Sequence, residues 1–219
     1  MVTAEHHRHW EVILNEASNQ AFVAGHNSLA RSGQVYERAK NVLPGGTTRA
    51  TTARQPTPIY AAEGEGAWLT DIDGNRYLDL NNNYTTLIHG HAFRPMIEAV
   101  ERQLRSGTCF ANPTEYEVAH AELLCDRVPS IERVRYVNTG TEAVMFAVKA
   151  ARAITGRTKI AKFEGAYHGG YDWVEISEDC TPANWGDSSK PASVPFAKGT
   201  PAAVLDDVII VPFNLSLIH

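Results

Sequence analysis

The chain has 219 residues, of which 43% are apolar, and its 20 basic and 25 acidic side chains give a formal net charge of −5. This composition excludes a disordered or fibrous protein and predicts one substantial folded core, with room for a smaller appendage. A sequence pI near 6.0, without any block of basic residues, argues against nucleic acid as the main partner.

Cysteine usage and the N-terminus indicate where the protein resides. Three cysteines without a C-x-x-C spacing favour neither a disulfide framework nor a zinc ribbon, and they fit a reducing compartment. The first ten residues lack the apolar run of a secretory signal. No stretch approaches the roughly 20 apolar residues of a membrane span. The sequence therefore predicts a cytoplasmic protein that does not enter a membrane.

The N-terminal part predicts helices followed by a small antiparallel unit. Apolar spacing favours one helix around residues 10–17 and another over 35–42, which ends at Pro44-Gly45-Gly46. The stretch 66–80 holds two strand-like runs around an Asp-Gly turn, the pattern of a β-hairpin.

Two further helices are predicted in the middle of the chain. The first covers residues 94–107, with Pro95 in its first turn and a glycine at its end. The second begins at a capping box formed by Thr114 and Glu117.

A βαβ unit follows these helices. Residues 133–137 read as a strand, 142–154 as an Ala-rich helix closed by Gly156, and 159–163 as a second strand. Such a unit predicts parallel strands and a right-handed crossover. One more strand is predicted over 208–213.

The predicted fold class is therefore α/β. We divide the chain into a helical segment and connector (1–57), a small antiparallel subdomain (58–92) and part of a larger domain (93–219). A parallel sheet needs other elements packed over both of its faces, and a unit of two or three strands is too small to satisfy this. We therefore expect the chain to be the front half of a larger protein. The last residues, 215–219, resemble an aberrant end.

The loops that leave the two strands of the βαβ unit are the candidate site, because ligands bind outside the carboxyl ends of parallel strands. In the first loop, Gly140 lets a ligand approach the backbone, and Thr139 and Thr141 add hydroxyls where a helix begins. This predicts a phosphate-binding cup. The alternative is that these residues only cap the helix.

The second loop places Tyr167 and His168 between glycines. An aromatic face and an imidazole beside the cup suit a flat, aromatic, phosphorylated ligand. The alternatives are a core tyrosine and a hydrogen-bonded spectator histidine. The nucleotide fingerprints G-x-x-x-x-G-K-[ST] and G-x-G-x-x-G are absent. His89 and His91 lack a carboxylate at ligand spacing, so no metal site is predicted.

The segment VNTGTEAVMFAVKAARAITGRTKIAKFEGAYHGG (137–170) resembles class III pyridoxal-phosphate aminotransferases, most of all glutamate-1-semialdehyde aminomutase and its relatives. The resemblance extends to four other segments: LPGG (43–46), WLTDIDGNRYLDL (68–80), HGH (89–91) and PTEYEVAHAELL (113–124). It implies an incomplete fold-type I pyridoxal-phosphate (PLP) transferase, with helices and a small antiparallel subdomain before the first βαβ part of the large domain.

The resemblance also implies roles for individual residues. Thr139, Gly140 and Thr141 would hold the cofactor phosphate. Tyr167 would stack on the pyridine ring, with His168 beside it.

Two residues are implied to bind substrate. Tyr84 falls where these enzymes place an aromatic side chain lining the substrate pocket. Arg49 falls where the related β-amino-acid aminotransferases keep an arginine for the substrate carboxylate, whereas the aminomutase pattern has its arginine three residues later, at Thr52 here. The alternative for Arg49 is a solvated loop charge.

The Schiff-base lysine of the family is not found, so no catalytic residue is assigned. Six lysines match no family motif: Lys40, Lys149, Lys159, Lys162, Lys190 and Lys198. We expect a class III aminotransferase acting on an amino acid or amino ketone, as a homodimer when complete, while this chain by itself does not turn over. The alternatives are glutamate-1-semialdehyde 2,1-aminomutase of tetrapyrrole synthesis and a non-catalytic fragment that binds PLP or phosphate.

Overall fold

The computed structural model describes residues 29–213, so the helix predicted around 10–17 and the tail 215–219 lie outside the described residues. Helices and strands follow in chain order: α1 (Ala30–Lys40), β1 (Ala61–Glu65), β2 (Trp68–Asp71), β3 (Arg76–Leu78), α2 (Arg94–Leu104), α3 (Glu115–Arg127), α4 (Gly140–Thr155), β4 (Ile160–Phe163), α5 (Asp172–Glu175), β5 (Gly186–Asp187), β6 (Lys190–Pro191), α6 (Ala202–Asp207) and β7 (Val208–Val211). None of these helices is long and apolar enough to cross a membrane.

The chain divides into two compact units, Met1–Pro113 and Thr114–His219. The predicted boundary at 92/93 therefore falls inside the first unit. The three-part division itself stays a prediction.

In the first unit, β1, β2 and β3 form an antiparallel sheet in that order. The hairpin predicted over 66–80 is confirmed by β2 and β3, with Gly74 in the turn at a φ of 87° that glycine tolerates. Strand β1, which pairs Glu65 with Trp68, completes the sheet.

A buried carboxylate organises this hairpin. Asp71, only 2% exposed, accepts hydrogen bonds from the backbone N–H and side-chain amide of Asn75 (2.8 and 2.9 Å) and from the Tyr77 hydroxyl (2.7 Å). Burial raises the pKa of Asp71, but these hydrogen bonds outweigh it, and the pKa lies below its usual range. Burial and the Asp71 hydrogen bond raise the pKa of Tyr77 to about 12.

The same turn receives helix α1. The Asp73 carboxylate accepts hydrogen bonds from the backbone N–H groups of Arg31 (2.7 Å) and Ser32 (2.9 Å) and from the Ser32 hydroxyl (2.5 Å). Because the first N–H groups of a helix have no intrahelical acceptor, Asp73 caps α1 from a distant part of the chain.

In the second unit, β4 and β7 form a parallel pair in the register Ile160–Val208 to Phe163–Val211. Helix α6 packs against β7, and helix α5 packs against α6. The core contains four buried apolar residues: Ile176, Val204, Val208 and Ile210.

The predicted strand over 133–137 is wrong. Helix α4 and strand β4 form as expected, and Gly156 ends α4 in the left-handed conformation at φ 68°. Residues 133–137 are not a strand, because no segment within 29–213 forms a ladder with them. A strand depends on a neighbour about 4.8 Å away, and β4 finds that neighbour in β7.

Candidate functional site

The start of α4 is closed by a reciprocal capping box. The Thr139 Oγ1 atom accepts a hydrogen bond from the Glu142 N–H (3.1 Å), and the Glu142 carboxylate accepts bonds from the N–H groups of Asn138 (2.7 Å) and Thr139 (3.0 Å). Thr139 therefore caps the helix, as one of the two alternatives predicts. The capping box also places the Glu142 carboxylate beside the candidate cup.

Capping leaves several hydrogen-bond donors free for a ligand. The N–H groups of Gly140 and Thr141 have no intrahelical acceptor, and within residues 29–213 no hydrogen bond is found from either. Each threonine oxygen accepts from a backbone N–H, so each hydroxyl hydrogen remains available. Two N–H and two O–H donors at the positive end of a 16-residue helix fit a phosphate group.

The tyrosine loop, residues 164–170, lies against this helix start. The Gly170 N–H donates to Thr141 Oγ1 over 3.0 Å, although 29 positions separate the two residues. Gly169 is buried at a φ of +97°, and a Cβ atom added there would lie 2.8 Å from the Thr141 Cα. The expectation that the two loops meet is thus confirmed.

The ring-bearing part of the loop projects into solvent. Tyr167 is 72% exposed and His168 is also exposed. The other end of the loop is held by the Gly165 N–H, which donates to the Ser177 carbonyl over 2.8 Å. The loop is therefore fixed at both ends and presents an aromatic side chain and an imidazole between them. Their contact with a cofactor ring stays a prediction.

The two predicted substrate residues lie in the first unit. Arg49 is exposed, and its guanidinium has no ion pair within the described residues. Its carbonyl accepts from the Thr52 hydroxyl over 2.8 Å, so the residue at the aminomutase arginine position is engaged locally. Tyr84 is 50% exposed. The substrate roles of Arg49 and Tyr84 stay predictions.

A strained turn around Tyr84 escaped sequence analysis. Residues 82–85 all have positive φ, between 47° and 66°, and form one left-handed turn. The Asn81 side chain accepts a hydrogen bond from the Tyr84 N–H (2.8 Å). The Asp79 carboxylate accepts one from the Asn82 N–H (2.9 Å) and is also hydrogen-bonded to His91 Nε2 (2.7 Å). These bonds lower the pKa of Asp79 below its usual range. The three consecutive asparagines were the available signal, because asparagine tolerates this conformation.

One lysine of the second unit is buried. Lys162 Nζ donates to the Ile176 carbonyl over 2.6 Å, and burial lowers its pKa. Its amine is therefore engaged in the core around β4. The described residues contain no group of three or more His, Cys, Asp or Glu side chains that could hold a metal ion.

Comparison with known proteins identifies the family. The Aminotransferase class-III family model matches residues 50–198, more than half of the chain. The chain belongs to the class III aminotransferases. The predicted assignment to this family and to the fold-type I α/β class is confirmed by solved transaminases of that fold.

Three relatives show the extent of the similarity. A glutamate-1-semialdehyde 2,1-aminomutase of Methanothermobacter thermautotrophicus is 42% identical over 84% of this chain and 42% of its own length. An omega-transaminase from Sphaerobacter thermophilus is 55% identical, with a TM-score of 0.79, over 84% of this chain and 42% of that one. A transaminase solved with PLP bound is 43% identical, with a TM-score of 0.78, over 87% and 43%. This class III chain thus spans less than half the length of these relatives.

Proposed function

We propose that this chain supplies the phosphate-binding and ring-contacting part of a PLP-dependent transaminase site. The observation that carries the proposal is the hydrogen bond from Gly170 to Thr141, which joins the donor-rich start of α4 to the loop bearing Tyr167 and His168. A phosphate site and an aromatic side chain in adjacent loops fit a phosphorylated aromatic cofactor. The similarity to a transaminase that binds PLP supports that choice.

Each residue has a distinct task in this proposal. The N–H groups of Gly140 and Thr141 and the hydroxyls of Thr139 and Thr141 hold the phosphate, which fixes one end of the cofactor. Tyr167 restricts the ring from one side, and His168 lies beside it. When bound, PLP supplies the electron sink for bond changes at an amino-bearing carbon. The chain's own contribution is binding and orientation, and none of its six lysines is assigned to carry the cofactor.

The whole protein is proposed to transfer an amino group between small molecules, acting on an amino acid or amino ketone with a carboxylate. Arg49 offers a cation for that carboxylate and Tyr84 an aromatic wall. We place the protein in the cytoplasm, with a second copy as its partner and without nucleic-acid or membrane partners.

A second candidate is glutamate-1-semialdehyde 2,1-aminomutase, which the name of the Methanothermobacter relative favours. The sequence favours transamination instead, because Thr52 stands where the aminomutase pattern has its arginine. A non-catalytic fragment that binds PLP or phosphate is the third candidate. All three candidates share the same phosphate site.

Replacing Gly140 with proline tests this site directly. Proline at the first helical position removes one N–H donor without disturbing the helix, and the extended backbone of Thr139 (φ −140°, ψ 159°) accepts a following proline. Gly140→Ala is the matched control, because it keeps the N–H and its Cβ meets no atom within 4 Å.

Binding of inorganic phosphate and of PLP to the full chain would be followed by calorimetry and amide NMR shifts. Loss of one charge-assisted hydrogen bond predicts that Gly140→Pro binds phosphate about tenfold more weakly than Gly140→Ala, which keeps the N–H. Borohydride trapping with PLP should label no single lysine. Equal phosphate affinity in all three proteins, or no binding to the parent chain, would overturn the proposal.

A further inference from the structure

The Thr141 hydroxyl lies between the two halves of the candidate site. Its oxygen accepts the Gly170 N–H at 3.0 Å, and the adjoining Gly169 backbone is so close that an added Cβ would lie 2.5 Å from the same oxygen. Thr141 is partly buried, whereas Thr139 is exposed. The contact therefore belongs to a packed junction between α4 and the tyrosine loop.

The Thr141 hydroxyl can hydrogen-bond to the tyrosine loop and to an anion at the same time. A threonine hydroxyl has two acceptor lone pairs and one hydrogen. With one lone pair engaged by Gly170, the hydrogen is still free to donate to an anion at the helix start. Donation to an anion makes the oxygen more negative, and linked hydrogen bonds strengthen one another in this way. An anion at the cup should therefore tighten the bond to the loop.

We infer that Thr141 is a positioning residue that couples phosphate binding to ordering of the loop that carries Tyr167 and His168. The cup would fill first, and the ring-contacting loop would then be held more firmly. Because coupling between two equilibria is reciprocal, an ordered loop also raises phosphate affinity. The identity of the anion as a cofactor phosphate rests on the proposed function, but the junction between Thr141 and Gly170 does not.

Thr139 provides a matched comparison within the same turn. Its hydroxyl oxygen accepts the Glu142 N–H inside the helix, and within residues 29–213 no hydrogen bond joins Thr139 to the tyrosine loop. If Thr141 were only a phosphate ligand, Thr139→Val and Thr141→Val would have the same kind of effect. If Thr141 positions the loop, Thr141→Val should loosen the loop in the absence of any anion more than Thr139→Val does.

The experiment measures amide hydrogen exchange at Gly170 in the full chain, with and without inorganic phosphate. Loss of the acceptor in Thr141→Val should raise Gly170 exchange about fivefold without phosphate, and Thr141→Ser should restore it. Thr139→Val removes the cap of the Glu142 N–H, so it should weaken phosphate binding and raise exchange at Glu142, while Gly170 exchange without phosphate rises less than in Thr141→Val. Gly165, at the other end of the loop, reports any general loosening.

The coupling can also be tested on the unsubstituted chain, so the inference does not depend on whether any variant folds. Saturating phosphate should slow exchange at Gly170 several-fold more than at Gly165. Phosphate binding with unchanged Gly170 exchange overturns the coupling alone. Absence of phosphate binding overturns the coupling together with the proposed function. Unchanged Gly170 exchange in anion-free Thr141→Val overturns the positioning role and leaves the proposed function standing.

Discussion

The contact between Gly169 and α4 predicts a large difference between two glycine substitutions in one loop. Gly169 is buried at φ +97°, and a Cβ there would lie 2.5 Å from Thr141 Oγ1 and 2.8 Å from Thr141 Cα. Rotation of the threonine side chain could move the oxygen, but the Cα belongs to the helix backbone. Gly169→Ala must therefore shift the loop or the helix.

The expected cost has two parts. An alanine at positive φ loses about 1–2 kcal/mol relative to a relaxed backbone, and overpacking against fixed atoms adds about 1–3 kcal/mol. Together the two parts give a loss of about 2–5 kcal/mol of unfolding free energy. Gly165→Ala is the control, because Gly165 also has positive φ (+71°) but no atom within 4 Å of its Cβ position. It should lose only the backbone part, about 1–2 kcal/mol.

Urea denaturation of the full chain, followed by circular dichroism, gives the free energy of unfolding and its denaturant slope for both variants. An unchanged slope is needed before the two free energies are compared. Equal destabilisation by Gly169→Ala and Gly165→Ala would show that the close approach to α4 is absent. That result would also contradict the hydrogen bond between Gly170 and Thr141, because Gly169 and Gly170 are consecutive.

Other predictions concern the hairpin, the left-handed turn and the cup. The pKa of Asp71 is lowered in the folded chain, so its stabilisation is present above about pH 4 and lost as the pH falls through the folded pKa. Asp71→Asn should therefore destabilise the chain by about 2 kcal/mol at pH 7 and progressively less as the pH falls below about 4, measured by urea unfolding; an equal loss at all pH values contradicts this. Thr85→Gly relieves a φ of 66° and should raise the melting temperature, whereas Thr86→Gly, at φ −87°, should lower it. Glu142→Gln keeps the capping acceptor but removes a negative charge beside the cup, so calorimetry should show inorganic phosphate binding several-fold tighter; weaker binding would mean that the carboxylate itself organises the donors.

Features with a local cause could be predicted from the sequence. The Asp-Gly-Asn turn predicts the β2–β3 hairpin because few residues tolerate its backbone angles. The capping boxes at Thr114 and Thr139 mark the starts of α3 and α4, and Gly156 marks the end of α4. Each of these signals lies within four residues of the feature that it specifies. Such a feature can therefore be predicted from one sequence without knowledge of distant contacts.

Features that join distant segments could not be predicted in this way. The cap of α1 comes from Asp73, 41 positions from Ser32, and the bond between Thr141 and Gly170 spans 29 positions. Neither partner has a residue type that requires the other. Their meeting was expected only from the general rule that loops at the carboxyl ends of parallel strands share one edge, a rule that does not specify which atoms touch.

The failed strand at 133–137 shows which parts of the site depend on the sheet. That segment has the apolar and β-branched residues of a strand, yet pairing is a property of two segments and none is available to it within the described residues. The donors at the start of α4 are nevertheless formed, because they are set by the capping box of Thr139 and by the contact with Gly170. The candidate phosphate cup therefore depends on one helix start and one loop, and its donors form without a strand at 133–137.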